Sequence, residues 1–155
     1  MWRIFGLIFY KDKEKFFDKS KKTVDKSGIQ HMLSEYKIEI GETATEVIRT
    51  KGNASDKFLE IVTPVNLTKL FNNAPECLVI ATTGEEAASV ISSLTNTTVP
   101  KMGEHINCTA ILEDGKKRDF IHWRCPSTSR AYPMKLETKA SFYKDMFREL
   151  EIIPE

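Results

Sequence analysis

Two histidines, His105 and His122, and a set of cations, Lys116, Lys117, Arg118, Arg124 and Arg130, gather between positions 105 and 130 of this 155-residue chain. A pair of imidazoles can shuttle a proton or begin a metal site. Cations interleaved with an aromatic, here Phe120, can clamp phosphates while stacking a base. Cys125 adds a thiol five residues ahead of Arg130. These residue types define three candidate chemistries: acid–base catalysis, nucleophilic catalysis and nucleic-acid binding.

The spacing favours some of these over others. His105 and His122 have Asn107 nearby but no third ligand at a diagnostic distance, so no metal and no cofactor is assigned. A phosphatase loop places its arginine six residues after the cysteine. Here the separation is five, with no glycine between to let backbone amides converge. The passage through Gly84 has strand–glycine–helix order but lacks the further glycines and the lysine of a P-loop. Glu85 and Glu86 would also fill its first helical turn and repel an anion. No catalytic residue is therefore assigned. The candidate nucleic-acid set is Lys116, Lys117, Arg118, Phe120, His122, Arg124 and Arg130. Lysines at a hairpin tip are equally common as edge-protecting, solvated residues.

The element that must position this set is a hairpin over 105–125. Asp114-Gly115 between two β-rich runs predicts a type I′ two-residue turn. That turn pairs Glu113 with Lys116, Ile106 with Trp123 and Cys108 with Ile121. Trp123 is then expected in the core, with Phe120, His122 and His105 on the opposite, polar face. Cys108 and Cys125 share a face four residues apart along the strand, about 13 Å, which excludes a bridge between them.

Around the hairpin, residues 2–10 form a β-branched and aromatic run that reads as a mostly buried strand. The lysine-rich stretch 11–26 carries a thin helical stripe of Phe16, Phe17 and Val24, interrupted at Gly28. Ile29, Met32, Leu33 and Tyr36 recur at helical spacing. Ile38 and Ile40 alternate as a short strand. Two more strands are expected at 46–50 and 57–63, with a turn at 51–56 and one or two helical turns over 66–72. The apolar run 77–81 predicts a central strand. Thr83 and Glu86 have capping-box spacing before a helix that buries Ala87, Val90, Ile91 and Leu94. After the loop 126–133, a last helix over 139–150 presents Phe142, Tyr143, Met146, Phe147 and Leu150. Irregular alternation with at least two hairpins predicts one α+β domain over 1–155, a mostly antiparallel sheet with helices on one face.

The length is enough to bury a core without metal or disulfide staples. A hydrophobic fraction of 41%, a charged fraction of 29% and a formal net charge of +1 describe an ordinary globular protein with no global field to attract nucleic acid or membrane. Three cysteines leave at least one thiol unpaired, which suits a reducing compartment, so a cytoplasmic location is expected. Asn53, Asn66, Asn96 and Asn107 each begin a glycosylation sequon, the feature that would suit a secreted chain. No signal peptide precedes them, and the apolar start is far short of the roughly 20 residues a membrane span needs.

The segment from Arg124 to Tyr132, Arg-Cys-Pro-Ser-Thr-Ser-Arg-Ala-Tyr, resembles a Cys-Pro-Ser-Thr-Gly-Arg signature of uncharacterised bacterial proteins, in which an aromatic and a trailing helix follow. The likeness covers about the last 35 residues, with Ser129 in place of the glycine. It implies no catalytic residues and no substrate. The reading that survives is a non-enzymatic binding or regulatory module acting through a protein partner, a second copy of the chain included. The alternatives are single-stranded nucleic-acid binding through the basic hairpin and a small hydrolase or transferase using His105 and His122. No membrane partner is expected.

Overall fold

The computed structural model describes residues 1–18, 20, 22–41, 44–49 and 59–154, with 44–49 and 59–64 as backbone. The fold is α+β. The chain divides into two compact units, one built from Met1–Gly41 with Pro133–Glu155 and the other from Glu42–Tyr132.

In the first unit, α1 (Trp2–Tyr10) is a helix, not the strand its composition predicts. Three-to-four-residue spacing brings Trp2 against Phe5 and Phe5 against Phe9, both with ring centroids 6.0 Å apart. The same face meets α5 (Leu136–Glu149), where Phe5 and Phe9 lie 5.8 and 5.2 Å from Phe147. An aromatic stripe of this kind overrides β propensity because burial of the rings outweighs the small intrinsic preference. Lys11 ends the helix in the left-handed region, φ 56°, and the chain folds back so that Asp12 N–H donates to the Gly6 carbonyl.

That reversal brings backbone against Gly6. A Cβ there would sit 2.5 Å from the Asp12 carbonyl oxygen. Gly→Ala inside a helix ordinarily gains about 1 kcal/mol, but an overpacked backbone contact costs about 1–3 kcal/mol, so Gly6→Ala is expected to destabilise the chain. Denaturant titration of the variant checks this; a higher midpoint would mean that the reversal moves aside freely.

The described residues of 11–25 form no helix. Asp12 accepts from Glu14 N–H, and Asp18 accepts from both the backbone and the hydroxyl of Ser20. Such local side-chain bonds compete with helical ones. Two short strands result, β1 (Phe17–Asp18) and β2 (Thr23–Val24), with Phe16 1% exposed. Gly28 does not interrupt α2 (Lys26–Glu35); it lies in the first turn, where its N–H donates to the Asp25 cap. Residues 38–40 are not a strand, and Ile40 is exposed.

In the second unit, β3 (Ala44–Arg49) pairs antiparallel with β4 (Leu59–Pro64), close to the expected strands; the expected turn at 51–56 lies outside the described residues. Asn66 caps α3 (Leu67–Asn73) through Lys69 N–H. The run 77–81 contributes β5 (Val79–Thr83), but at an edge and not in the centre: the sheet order is β5–β7–β6, with β6 His105–Ile111 and β7 Lys117–Cys125. β7 pairs parallel with β5 and antiparallel with β6. Thr83 belongs to β5, so Gly84 is the N-cap of α4 (Glu85–Thr95) and no side chain closes a capping box. Helix α4 buries Ala88, Ile91 and Ser92, a stripe rotated from the expected one, and leaves Leu94 exposed. Phe71 of α3 and Ile91 of α4 pack with Cys108, Ala110 and Phe120 on one side of the sheet.

Candidate functional site

The hairpin that positions the candidate residues closes differently from expectation. Gly115 N–H donates to the Leu112 carbonyl and Leu112 N–H to the Lys116 carbonyl, both at 2.9 Å. Of the turn residues only Gly115 has positive φ, 82°. This is a three-residue loop, a type I turn followed by a left-handed glycine, and not the two-residue type I′ turn that needs positive φ at Asp114 as well. Asp114 instead uses its carboxylate to accept from Lys116 N–H. The tip is tied to α3, since Glu113 N–H donates to the Thr68 hydroxyl and the Asn66 amide donates to Glu113.

One extra loop residue shifts every pair. Ile106 is opposite His122, Cys108 opposite Phe120, and His105 opposite Trp123. Because side chains alternate, the shift exchanges the faces of β7 relative to β6. Phe120 and His122 therefore turn into the core side, 4% and 0% exposed, and are not the exposed aromatic platform expected of them. Trp123 is buried as predicted, 3% exposed, but beside His105, whose ring stacks on it at 4.4 Å, and not beside Ile106.

The candidate cations separate into two groups. The Arg118 guanidinium donates to the Pro75 and Cys77 carbonyls at 2.6 and 2.7 Å and lies 4.8 Å over the Phe71 ring. Arg124 donates to the Pro100 carbonyl at 3.2 Å. Both pin loops to the strand. Lys116, Lys117 and Arg130 are exposed. The expected surface of alternating cations and aromatics is thus not assembled by this hairpin.

His105 and His122 lie on opposite faces of the sheet, so they do not form the diagonal pair expected of them. His122 Nε2 is 2.8 Å from the Thr82 hydroxyl, which lies 3.3 Å from the Trp123 carbonyl. Among the described residues His122 Nδ1 has no partner. Burial pulls this imidazole down to about 4, which keeps it neutral at ordinary pH. The Cys125 thiol is fully buried and pushed up to about 12 by the same cause, the environment of an inert core thiol. None of the three cysteines is in a disulfide. Among the described residues no three His, Cys, Asp or Glu side chains converge as metal ligands, and no helix is long and apolar enough to cross a membrane.

The sheet side opposite Phe71 and Ile91 presents a different arrangement. There Ala81, Asn107, Thr109, Ile111 and Asp119 are exposed and Val79 and Ile121 are half-buried, while Trp123 and Cys125, toward the end of β7 on the same side, are buried. Ile111 is 74% exposed. Sequence reasoning missed this surface because the shifted register hid which side was open. The signal available was the absence of charge from 105 to 111. No protein-family model matches the chain, and neither a curated protein nor a solved structure matches it.

Proposed function

We propose that this chain is a non-enzymatic binding module that acts through a protein partner, and that the partner sits on the open side of the β5–β7–β6 sheet. The observation that carries this reading is Ile111, a large aliphatic residue 74% exposed on a side of the sheet whose centre, Val79 and Ile121, is apolar. Ile111 lies near the hairpin tip opposite Lys117, and the apolar pair Val79 and Ile121 lies four residues along the strands on the same side. An aliphatic anchor and a separate apolar strip thus share one surface within a polar surround, which supports a binding role. The bonding of Arg118 and Arg124 to loop carbonyls and the burial of Phe120 and His122 leave the nucleic-acid alternative with Lys116, Lys117 and Arg130 and no stacking ring among the candidates.

The test is affinity capture with the wild-type chain and an Ile111→Glu variant of equal stability. A protein retained at fixed stoichiometry by the wild type and lost tenfold or more by the variant supports the reading. Capture that ignores Ile111→Glu, or that disappears with nuclease treatment, overturns it.

A further inference from the structure

Among the described residues the β6 edge of the sheet carries none of the usual guards. Sheet edges are usually protected from pairing by lysine, proline, a bulge or a covering segment. β6, His105-Ile-Asn-Cys-Thr-Ala-Ile111, contains no lysine, arginine, acid or proline, and its pairing with β7 has no register shift. Among the described residues its only strand neighbour is β7.

The hydrogen-bond parity decides which groups are free. Arg124 N–H donates to the Glu104 carbonyl and Leu112 N–H to the Lys116 carbonyl, so the even-numbered residues of β6 bond to β7. The main-chain N–H and C=O groups of Asn107, Thr109 and Ile111 consequently point away from β7, along the open edge. Their side chains are exposed as well.

We propose that two copies of this chain pair along β6, antiparallel about a two-fold axis at Cys108, to make one continuous six-stranded sheet. The inference rests on the protein-partner reading and names the partner as a second copy. The strand is complementary to itself in this register. Asn107 meets Thr109 of the second copy, His105 meets Ile111, and Ile106 meets Ala110, so no charge opposes a like charge. Beyond the strand, Glu104 meets Leu112 and Gly103 meets Glu113. A shift of one residue toward the tip would change the parity of the free groups, and a shift of the axis to Thr109 would set Glu104 against Asp114. In this isologous arrangement the Asn107 and Thr109 main-chain groups of the two copies exchange about four new hydrogen bonds across the axis.

The other edge does not offer the same fit. β5 is five residues long, with Glu76 just before it and Glu85 and Glu86 just after. Antiparallel self-pairing about Ala81 brings these carboxylates of two copies to the same ends, where like charges repel. Charge therefore selects β6 over β5.

Sedimentation velocity over a hundredfold range of concentration tests the proposal on the intact chain. The expected result is a concentration-dependent shift toward twice the chain mass. The Asn107→Lys/Thr109→Lys double variant sets lysines opposite lysines across the axis and is expected to sediment as a monomer throughout, with an unchanged circular dichroism spectrum. A register test needs no variant: in a mixture of labelled and unlabelled chains, an intermolecular contact between the two Cys108 Hα protons is expected, as for a non-hydrogen-bonded antiparallel pair. A wild-type chain that is monomeric at every concentration overturns the pairing but leaves Ile111-dependent capture of a different protein standing. A dimer that persists in the double-lysine variant, or a contact between Hα protons of another pair, overturns the β6 assignment.

Discussion

Trp123→Ala is expected to lower the stability of the chain by about 3–5 kcal/mol, the range for removing a large aromatic from a packed site. The indole is 3% exposed and stacked on His105. His122→Ala, at the neighbouring and equally buried position, removes a ring that is 0% exposed and its bond to Thr82, and is expected to cost a comparable amount. Adjacent residues of a strand point to opposite faces, so similar losses at both positions identify β7 as buried on both sides at this level. Chemical denaturation of the two variants measures the pair. A loss below about 0.5 kcal/mol at either, the size of a surface change, would contradict the observed register.

The second large effect is a loss of stability in acid. The neutral imidazole of His122 is favoured in the folded chain, where burial holds it at about 4 against an ordinary 6.5. Its contribution is therefore complete above about pH 6.5 and declines as the pH falls toward 4. In that window the unfolded chain takes up a proton that the folded chain refuses. The displacement corresponds to about 3 kcal/mol at 1.36 kcal/mol per pH unit. His122→Gln keeps an amide to bond the Thr82 hydroxyl and cannot titrate. Stability measured between pH 7 and pH 4 is expected to fall more steeply for the wild type than for this variant, the difference reaching about 3 kcal/mol. Parallel curves would mean that the folded chain accommodates the charged ring.

How much of this was legible beforehand depended on where the relevant partner lies. Helices α3, α4 and α5 announce themselves through local periodicity and an end signal such as Asn96, which ends α4 in the left-handed region. α1 does not, because its composition is that of a strand and the residues that make it a helix face, Tyr143 and Phe147, come more than a hundred positions later. The hairpin was half legible. Asp-Gly marks the turn, but two- and three-residue loops both place the glycine at positive φ, and only the conformation of Asp114 distinguishes them. Both parities of β7 carry apolar residues, Phe120 on one and Ile121 and Trp123 on the other, so hydrophobic pattern did not arbitrate. That single residue of register moved Phe120 and His122 from the surface to the core and dispersed the site expected there.

The first unit is assembled from the two ends of the sequence, with Glu42–Tyr132 intervening. During synthesis Trp2, Phe5 and Phe9 leave the ribosome long before α5 exists, while the β5–β7–β6 sheet and its helices have all their parts in one uninterrupted stretch. The inserted unit can therefore complete itself while the aromatic face of α1 is still without the rings it will pack against. The nascent chain must keep that face from other contacts until α5 emerges, so α1, although made before the sheet, docks after it.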